Sequence, residues 1–208
     1  MHHRVESREA IREMLHAQHL AVIGASGNLS KLGGKLMKTL TSGGYSGEIY
    51  PVNPKGGEIL GYKVYESLNT VPREIDAAII IIPAAFVAGA IVQAAGRGAK
   101  VIAILSAGFR EFGRMDLEEE ILSAAQQHGV RLMGPNIQGI TSLSNSMCAM
   151  FFPVLKKKGP LSLVTHSGSV TAALGEWAEW EGLGISAAIN LGNQTDICEA
   201  DYIEYFAD

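Results

Sequence analysis

The sequence predicts an α/β fold: a Rossmann-like domain on a parallel sheet, then the start of a second α/β domain. Three observations carry this. An apolar strand runs directly into glycines at Leu20-Ala21-Val22-Ile23-Gly24-Ala25-Ser26-Gly27-Asn28, and Gly33-Gly34 closes the loop. The run Ala77-Ala78-Ile79-Ile80-Ile81-Ile82 is apolar without interruption, as in a parallel strand covered by helices on both faces. After Lys156-Lys157-Lys158-Gly159-Pro160 the alternation of strand and helix begins again.

Ile11 and Leu15, one turn apart, mark a short amphipathic helix ahead of the first strand, residues 19–23. Leu36, Met37 and Leu40 supply the apolar face of the next helix, which Ser42-Gly43-Gly44 stops. The second strand, residues 48–52, leads into the turn Asn53-Pro54-Lys55-Gly56-Gly57. The third strand is followed by a helix over residues 84–95, ended by Gly96-Arg97-Gly98. Residues 100–105 form the fourth strand, and Leu117, Ile121, Leu122 and Ala125 the helix after it, with Gly129 as its C-terminal cap. Residues 130–133 are the fifth strand, ending at Gly134-Pro135-Asn136. Five such units place a ligand crevice above the strand C-termini.

Residues 139–153 read as irregular. The second domain then opens with a strand at 161–165, the loop His166-Ser167-Gly168-Ser169, and a helix whose inner face includes Val170, Leu174 and Trp177. A strand at 185–189, a loop at 190–196 and a helix from Ala200 follow. The organisation expected is a first domain at 1–153 and an incomplete second at 154–208, because two parallel strands bury too little surface to stand alone.

The 208 residues are 47% apolar and 18% charged, which predicts a well-filled core. A net charge of −4 gives no reason to expect nucleic acid or an anionic membrane as partner. Two cysteines, Cys148 and Cys198, lack metal-site spacing and are too few for a disulfide framework, so a reducing, cytoplasmic setting is expected. No His or Cys pattern predicts a metal site. The apolar stretch at 77–90 is too short to span a bilayer and is broken by Pro83.

Glycines at a strand end leave backbone N–H groups and a helix N-terminus open to a phosphate, so a nucleotide-containing ligand is expected. A nicotinamide site usually has a carboxylate after its second strand, to hold the ribose diol. Here Asn53-Pro54-Lys55 stands there. A cation suits an additional phosphate, as in the 3′-phosphoadenosine of coenzyme A or the 2′-phosphate of NADP. Taken alone, Lys55 reads first as a solvated turn lysine; its value comes from lying at a strand's C-terminal end, beside glycines, in the same crevice as the first loop.

The segments Gly24-Ala25-Ser26, Tyr50-Pro51-Val52-Asn53-Pro54-Lys55, Ile82-Pro83-Ala84, Ser106-Ala107-Gly108-Phe109, Gly134-Pro135-Asn136, Ser167-Gly168 and Gly192-Asn193 through Asp196, followed by Asp201-Tyr202-Ile203-Glu204-Tyr205, resemble the CoA-binding portion of NDP-forming acyl-CoA synthetases. They also resemble the α subunit of succinyl-CoA synthetase. The segments follow family order across nearly the whole chain. The resemblance implies a CoA-binding Rossmann domain followed by a flavodoxin-like ligase domain. It implies a reaction joining a carboxylic acid to CoA at the expense of ATP or another nucleoside triphosphate, through an acyl phosphate and a phosphohistidine. The histidine is expected beyond Asp208, and the triphosphate with Mg²⁺ at a site outside these residues. A partner ATP-grasp domain or subunit, and a homo- or hetero-oligomer, are implied with it.

By the same resemblance Gly24, Ala25, Ser26 and Gly27 form the first CoA-contacting loop and Lys55 pairs with a CoA phosphate. Pro83 and Ala84 line the pantetheine path, Ser106, Ala107 and Gly108 lie near the reactive arm, and Asn136 approaches the thioester end. Ser167 and Gly168 are implied as a phosphate loop. The chain departs from the family at Ile137-Gln138, where Cys and Leu or Pro are common, and at His166, where Gln or Arg is common. Gln138, Met147, Cys148 and Phe151 are candidates for the acyl end, with packing as the ordinary role of Met and Phe.

Other constellations carry less. His166 reads as a loop or ligand-positioning residue, and its adjacency to Ser167 supplies no acidic orienter for a triad. Gly33-Gly34-Lys35 resembles a phosphate loop, but Leu36 stands where Ser or Thr would reach Mg²⁺. Trp177 and Trp180 read as packing residues. Two other functions fit the visible residues: a non-catalytic CoA-binding regulatory module, and a nicotinamide-dependent oxidoreductase. Residues 1–208 alone are expected to lack ligase activity.

Overall fold

The computed structural model describes residues 6–151 and 157–207. The expected boundary between residues 153 and 154 lies outside the described residues. In chain order the main elements are α1 (Ser7–His16), β1 (His19–Ile23), α2 (Leu32–Ser42), β2 (Glu48–Val52), β3 (Glu58–Ile59), β4 (Tyr62–Lys63), β5 (Ala77–Ile80), α3 (Val87–Ala95), β6 (Val101–Ile104), α4 (Met115–His128) and β7 (Arg131–Met133). They continue with β8 (Gly139–Ser142), β9 (Met147–Met150), β10 (Lys158–Thr165), α5 (Gly168–Trp180), β11 (Ile185–Asn190) and α6 (Glu199–Phe206).

A five-stranded parallel sheet runs β2-β1-β5-β6-β7. Residues along each strand alternate between two cores. Leu20, Val22, Ile79 and Ala103 pack with α1 and α2, whereas Ala21, Ile23, Ile80 and Ile104 pack with α3 and α4. Coverage of both faces explains the unbroken apolar run of β5. The helix expected over 84–95 opens with a 3-10 turn at Ala84–Phe86 before α3. Gly129 ends α4 in the left-handed conformation, φ +71°, its N–H donating to Ala125 O. The short hairpin of β3 and β4 was not expected; Leu60 and Gly61 turn it with φ of +52° and +85°.

The stretch 139–153 is not irregular. β8 and β9 form an antiparallel hairpin, and β8 pairs antiparallel with β11 in a second sheet ordered β10-β11-β8-β9. Every residue of β8 and β9 is buried, so the polar–apolar alternation that advertises a half-buried strand is absent. One side, with Ile140, Met147 and Ala149, joins the α1–α2 core together with Ala187, Ile189 and Tyr202. The two sheets therefore share one continuous apolar layer.

A second expectation is overturned at α5. Val170, Leu174 and Trp177 are 46%, 38% and 53% exposed, and Trp180 is 90% exposed. The buried residues are Gly168, Thr171, Gly175 and Ala178, a face of small side chains that lets the helix backbone approach β10 and β11. The bulky residues taken as the inner face, and both tryptophans read as packing residues, point outward for that reason. Among the described residues β10 pairs only with β11 and forms one edge of its sheet. Among the described residues no helix is long and apolar enough to cross a membrane.

Candidate functional site

A cleft of about 1190 Å³ opens over the C-terminal ends of the parallel strands, where ligands of such sheets sit. Its walls include Gly24, Ala25, Ser26, Gly27, Lys55, Pro83, Ser106, Ala107 and Asn136. Nine of the thirteen residues singled out from sequence are thus brought together. Ala84, Gly108, Ser167 and Gly168 do not line it.

The loop after β1 is shaped by close backbone contact. Gly24 has φ +96°, and a Cβ there would lie 2.2 Å from Ile81 O. A Cβ on Gly33 would lie 2.2 Å from Gly24 O, and one on Gly34 2.1 Å from Asn28 O. The loop is folded back on the first turn of α2, and only glycine permits that approach. Asn28 braces it: its N–H donates to Ser26 Oγ at 3.1 Å, and its Oδ1 accepts the Ser30 N–H at 2.9 Å. Lys31, the residue before α2, gives no side-chain cap, and its carbonyl accepts the Gly34 N–H at 3.0 Å, which leaves the N–H groups of Leu32 and Gly33 to meet an anion.

Asn53 couples this loop to the β2 turn. Its Nδ2 donates to Ala25 O at 2.8 Å while its Oδ1 accepts the Lys55 N–H at 2.9 Å. Lys55 is exposed at the mouth of the cleft, and Lys31 lines the same space, with Glu58 as an acidic neighbour. Sequence reasoning missed Lys31 and the coupling role of Asn53. The first could have been found from its place just before the helix, where an anion would be met by both charge and N–H groups.

At the other end, Ser106 accepts the Ile82 N–H through Oγ at 3.0 Å, which fixes the peptide at the end of β5. Gly108 lies behind the wall: a Cβ on it would be 3.2 Å from Ala84 Cβ. Its N–H donates to Glu111 Oε1 at 2.6 Å. Burial pushes the Glu111 carboxyl up, but the bonds from Asn193 and from the N–H groups of Gly108 and Phe109 outweigh it and hold the group below its ordinary range. Asn136, at φ +61°, donates its N–H to Ser106 O at 3.0 Å. The preceding Gly134–Pro135 bond is cis.

The loop after β11 clamps this corner. Asn193 N–H donates to Pro135 O at 2.8 Å and Thr195 N–H to Gly134 O at 2.9 Å. Arg131 and Asp196 form a bidentate pair at 2.9 and 3.0 Å, with side chains only 10% and 4% exposed, and Asp196 also accepts the Leu132 N–H. Glu118 accepts from Arg110 and Thr195; burial pushes its carboxyl up, and these bonds together with Asn193 carry it below the ordinary value. The acidic residues of this corner are thus consumed in joining the sheets.

Ser167 precedes α5 and accepts the Val170 N–H at 3.4 Å. Gly168 reaches the cleft only through a neighbour: a Cβ on it would lie 2.0 Å from Gln138 Cδ, and Gln138 is a cleft residue. Phe151 lines the cleft, whereas Met147 and Cys148 are fully buried in the hairpin and do not. His166 is exposed, 2.9 Å from Gln194 through its Nε2.

The volume, the glycine loop without room for side chains and the two lysines suit a long phosphorylated cofactor such as CoA. Residues 18–142 match the family described as CoA binding domain, and residues 158–208 the family described as succinyl-CoA ligase like flavodoxin domain. The chain is 39% identical over 205 residues to the acetate–CoA ligase [ADP-forming] I subunit alpha of Pyrococcus furiosus, covering 96% of this chain and 44% of that protein. It is 36% identical over 199 residues to acetate–CoA ligase [ADP-forming] I of Archaeoglobus fulgidus, covering 95% and 29%. The solved dinucleotide-forming acetyl-coenzyme A synthetase 1 of Ca. Korarchaeum cryptofilum, in complex with phosphate and ADP, superposes with a TM-score of 0.90 at 33% identity, covering 94% and 42%. The chain therefore spans less than half the length of these relatives. On these matches it belongs to the family of NDP-forming acid–CoA ligases and succinyl-CoA synthetase α subunits, of which it carries the CoA-binding domain and residues matching the flavodoxin-like domain.

Proposed function

We propose that the chain is the cofactor-docking part of an acid–CoA ligase that forms an acyl-CoA from a carboxylic acid, CoA and a nucleoside triphosphate, by way of an acyl phosphate and a phosphohistidine. The observation that carries the reading is the polarity of the cleft: a glycine loop and two lysines at one end, Asn136 and Gln138 at the other. When bound, CoA supplies the thiol that captures the acyl group.

The chain's own residues bind and orient. Gly24 shapes the first loop, its own N–H donating to Val52 O; N–H groups of residues 25–27 and of the start of α2 hold diphosphate oxygens, and Lys55 pairs with the 3′-phosphate. Pro83 and Ala84 border the pantetheine path, with Ser106, Ala107 and Gly108 beside the reactive arm and Asn136 at the thioester end. Ser167 and Gly168 at the start of α5 hold a phosphoryl group by backbone N–H donation. In this reading the phosphorylated histidine, the Mg²⁺-bound triphosphate and an ATP-grasp domain or subunit are supplied by other parts of the enzyme. The organisation proposed is a CoA-binding domain at 1–153 and ligase-domain residues at 154–208, in a cytoplasmic oligomer.

A crystal structure with CoA tests the orientation. The expected result is diphosphate at the 24–27 loop and the thiol beside Asn136; the reverse orientation, or density outside the cleft, overturns it. In a coupled assay with acetate, CoA and ATP, the chain alone should release no ADP above background. Acid- and CoA-dependent turnover by the chain alone would overturn the division of labour.

A further inference from the structure

At the acyl end of the cleft most walls are apolar: Leu105, Ile137 and Phe151. Gln138 is the exception. Its backbone is fixed at both ends, its N–H donating to Asn190 Oδ1 at 2.8 Å and its carbonyl accepting the Phe151 N–H at 3.2 Å. Ile137 before it is buried, and Gly139 after it has φ +132° with no room for a Cβ against Ala149 O. The side chain is thereby aimed across the gap between the two sheets. Its carboxamide packs on Gly168, where any Cβ would collide with Cδ and Oε1 at 2.0 Å. It makes no hydrogen bond to the described residues, in contrast to Asn28, Asn53 and Asn190, whose amides are all engaged.

A half-buried carboxamide has two donors and an acceptor to satisfy once a ligand displaces water. An alkyl group packed there leaves those atoms unpaired, which penalises it; a ligand bearing a hydroxyl restores at least one of the bonds. We propose that Gln138 is a specificity-determining residue that favours acyl groups carrying a hydroxyl over alkyl chains of the same length. The chemical class is hydroxy acids and their thioesters. This rests on the CoA reading of the cleft, and the position of Gln138 beside both Asn136 and Gly168 puts it where an acyl group bound to CoA would meet the start of α5.

The test is calorimetry on the 208-residue chain with CoA, butanoyl-CoA and the 2-, 3- and 4-hydroxybutanoyl-CoA thioesters. The readout is each thioester's Kd divided by that of free CoA, so a general change in cofactor affinity cancels. The expected result is a preference of about fivefold or more for at least one hydroxyacyl thioester over butanoyl-CoA. Gln138→Met keeps the length of the side chain against Gly168, removes both hydrogen-bonding groups, and should abolish that preference. Wild-type protein that binds CoA but does not favour any hydroxyacyl thioester overturns the assignment without touching the CoA reading. So does a preference that survives in Gln138→Met. Absence of CoA binding by wild type overturns both.

Discussion

The two sheets of this chain differ in how completely they are enclosed. The parallel sheet is covered on both faces, by α1 and α2 on one side and α3 and α4 on the other. The second sheet shares the first core on one face, but on the other carries α5, whose outward side bears Val170, Leu174, Trp177 and Trp180. The enclosed sheet holds the cofactor cleft. The open one is attached to it by the shared apolar layer on one face and by a polar corner, so burial encloses both faces of the first sheet while the second combines one buried face with specific bonds.

The largest effect is expected where that attachment is broken. Asp196→Ala removes the bidentate partner of the Arg131 guanidinium, in a site only 10% exposed, and the acceptor for the Leu132 N–H. A loss of about 3–5 kcal/mol is expected in urea unfolding. A change below about 1 kcal/mol would show that the shared apolar layer alone holds the sheets together.

Next is the loop of the enclosed sheet. Gly24→Ala must accommodate a Cβ 2.2 Å from Ile81 O at φ +96°. Backbone strain of about 1–3 kcal/mol is expected, with CoA affinity reduced by about tenfold or more. Unchanged binding by calorimetry would mean that the loop does not touch the cofactor.

Lys55→Ala should cost roughly 1–3 kcal/mol of CoA binding and nothing in melting temperature, since the side chain is exposed. Dephospho-CoA should bind wild type with a similar loss, and the variant with little further loss. Additive losses in this cycle would reject pairing with the 3′-phosphate and leave a diphosphate contact in its place.

The polar corner also sets a pH dependence. Glu111 and Glu118 both lie below their ordinary value of 4.5 in the folded chain. Their contribution is complete above pH 4.5, declines below it, and is lost as pH falls through their lowered folded values. Glu118→Gln should flatten that acid limb of stability; an unchanged limb would assign it to other carboxylates. The smallest effect belongs to the open side of α5. Trp180→Lys, at a site 90% exposed, should change stability by no more than about 0.5 kcal/mol. A larger loss would mean that the tryptophan packs in this chain.

Much of the enclosed sheet was legible because its strands are short apolar runs with a glycine or proline within four residues of their ends, and each helix shows a buried apolar stripe. Ala77 to Ile80 reads as a double-covered strand on composition alone. The hairpin at 139–150 was not legible: Thr141, Ser142 and Cys148 are as buried as their apolar neighbours, so no alternation remains. At α5 the pattern misled, because small residues make the packed face and large ones the exposed face. In the cleft, glycines and Lys55 stand out in sequence. Gln138 stands out in sequence as a candidate for the acyl end, but its packing against Gly168 comes only from the fold.

The central claim, that the cleft over the parallel sheet docks CoA, is tested most directly by isothermal titration of the wild-type chain with CoA, NAD and NADP. The account predicts micromolar binding of CoA in preference to both dinucleotides. Selective micromolar binding of NAD, with no CoA binding, would contradict it.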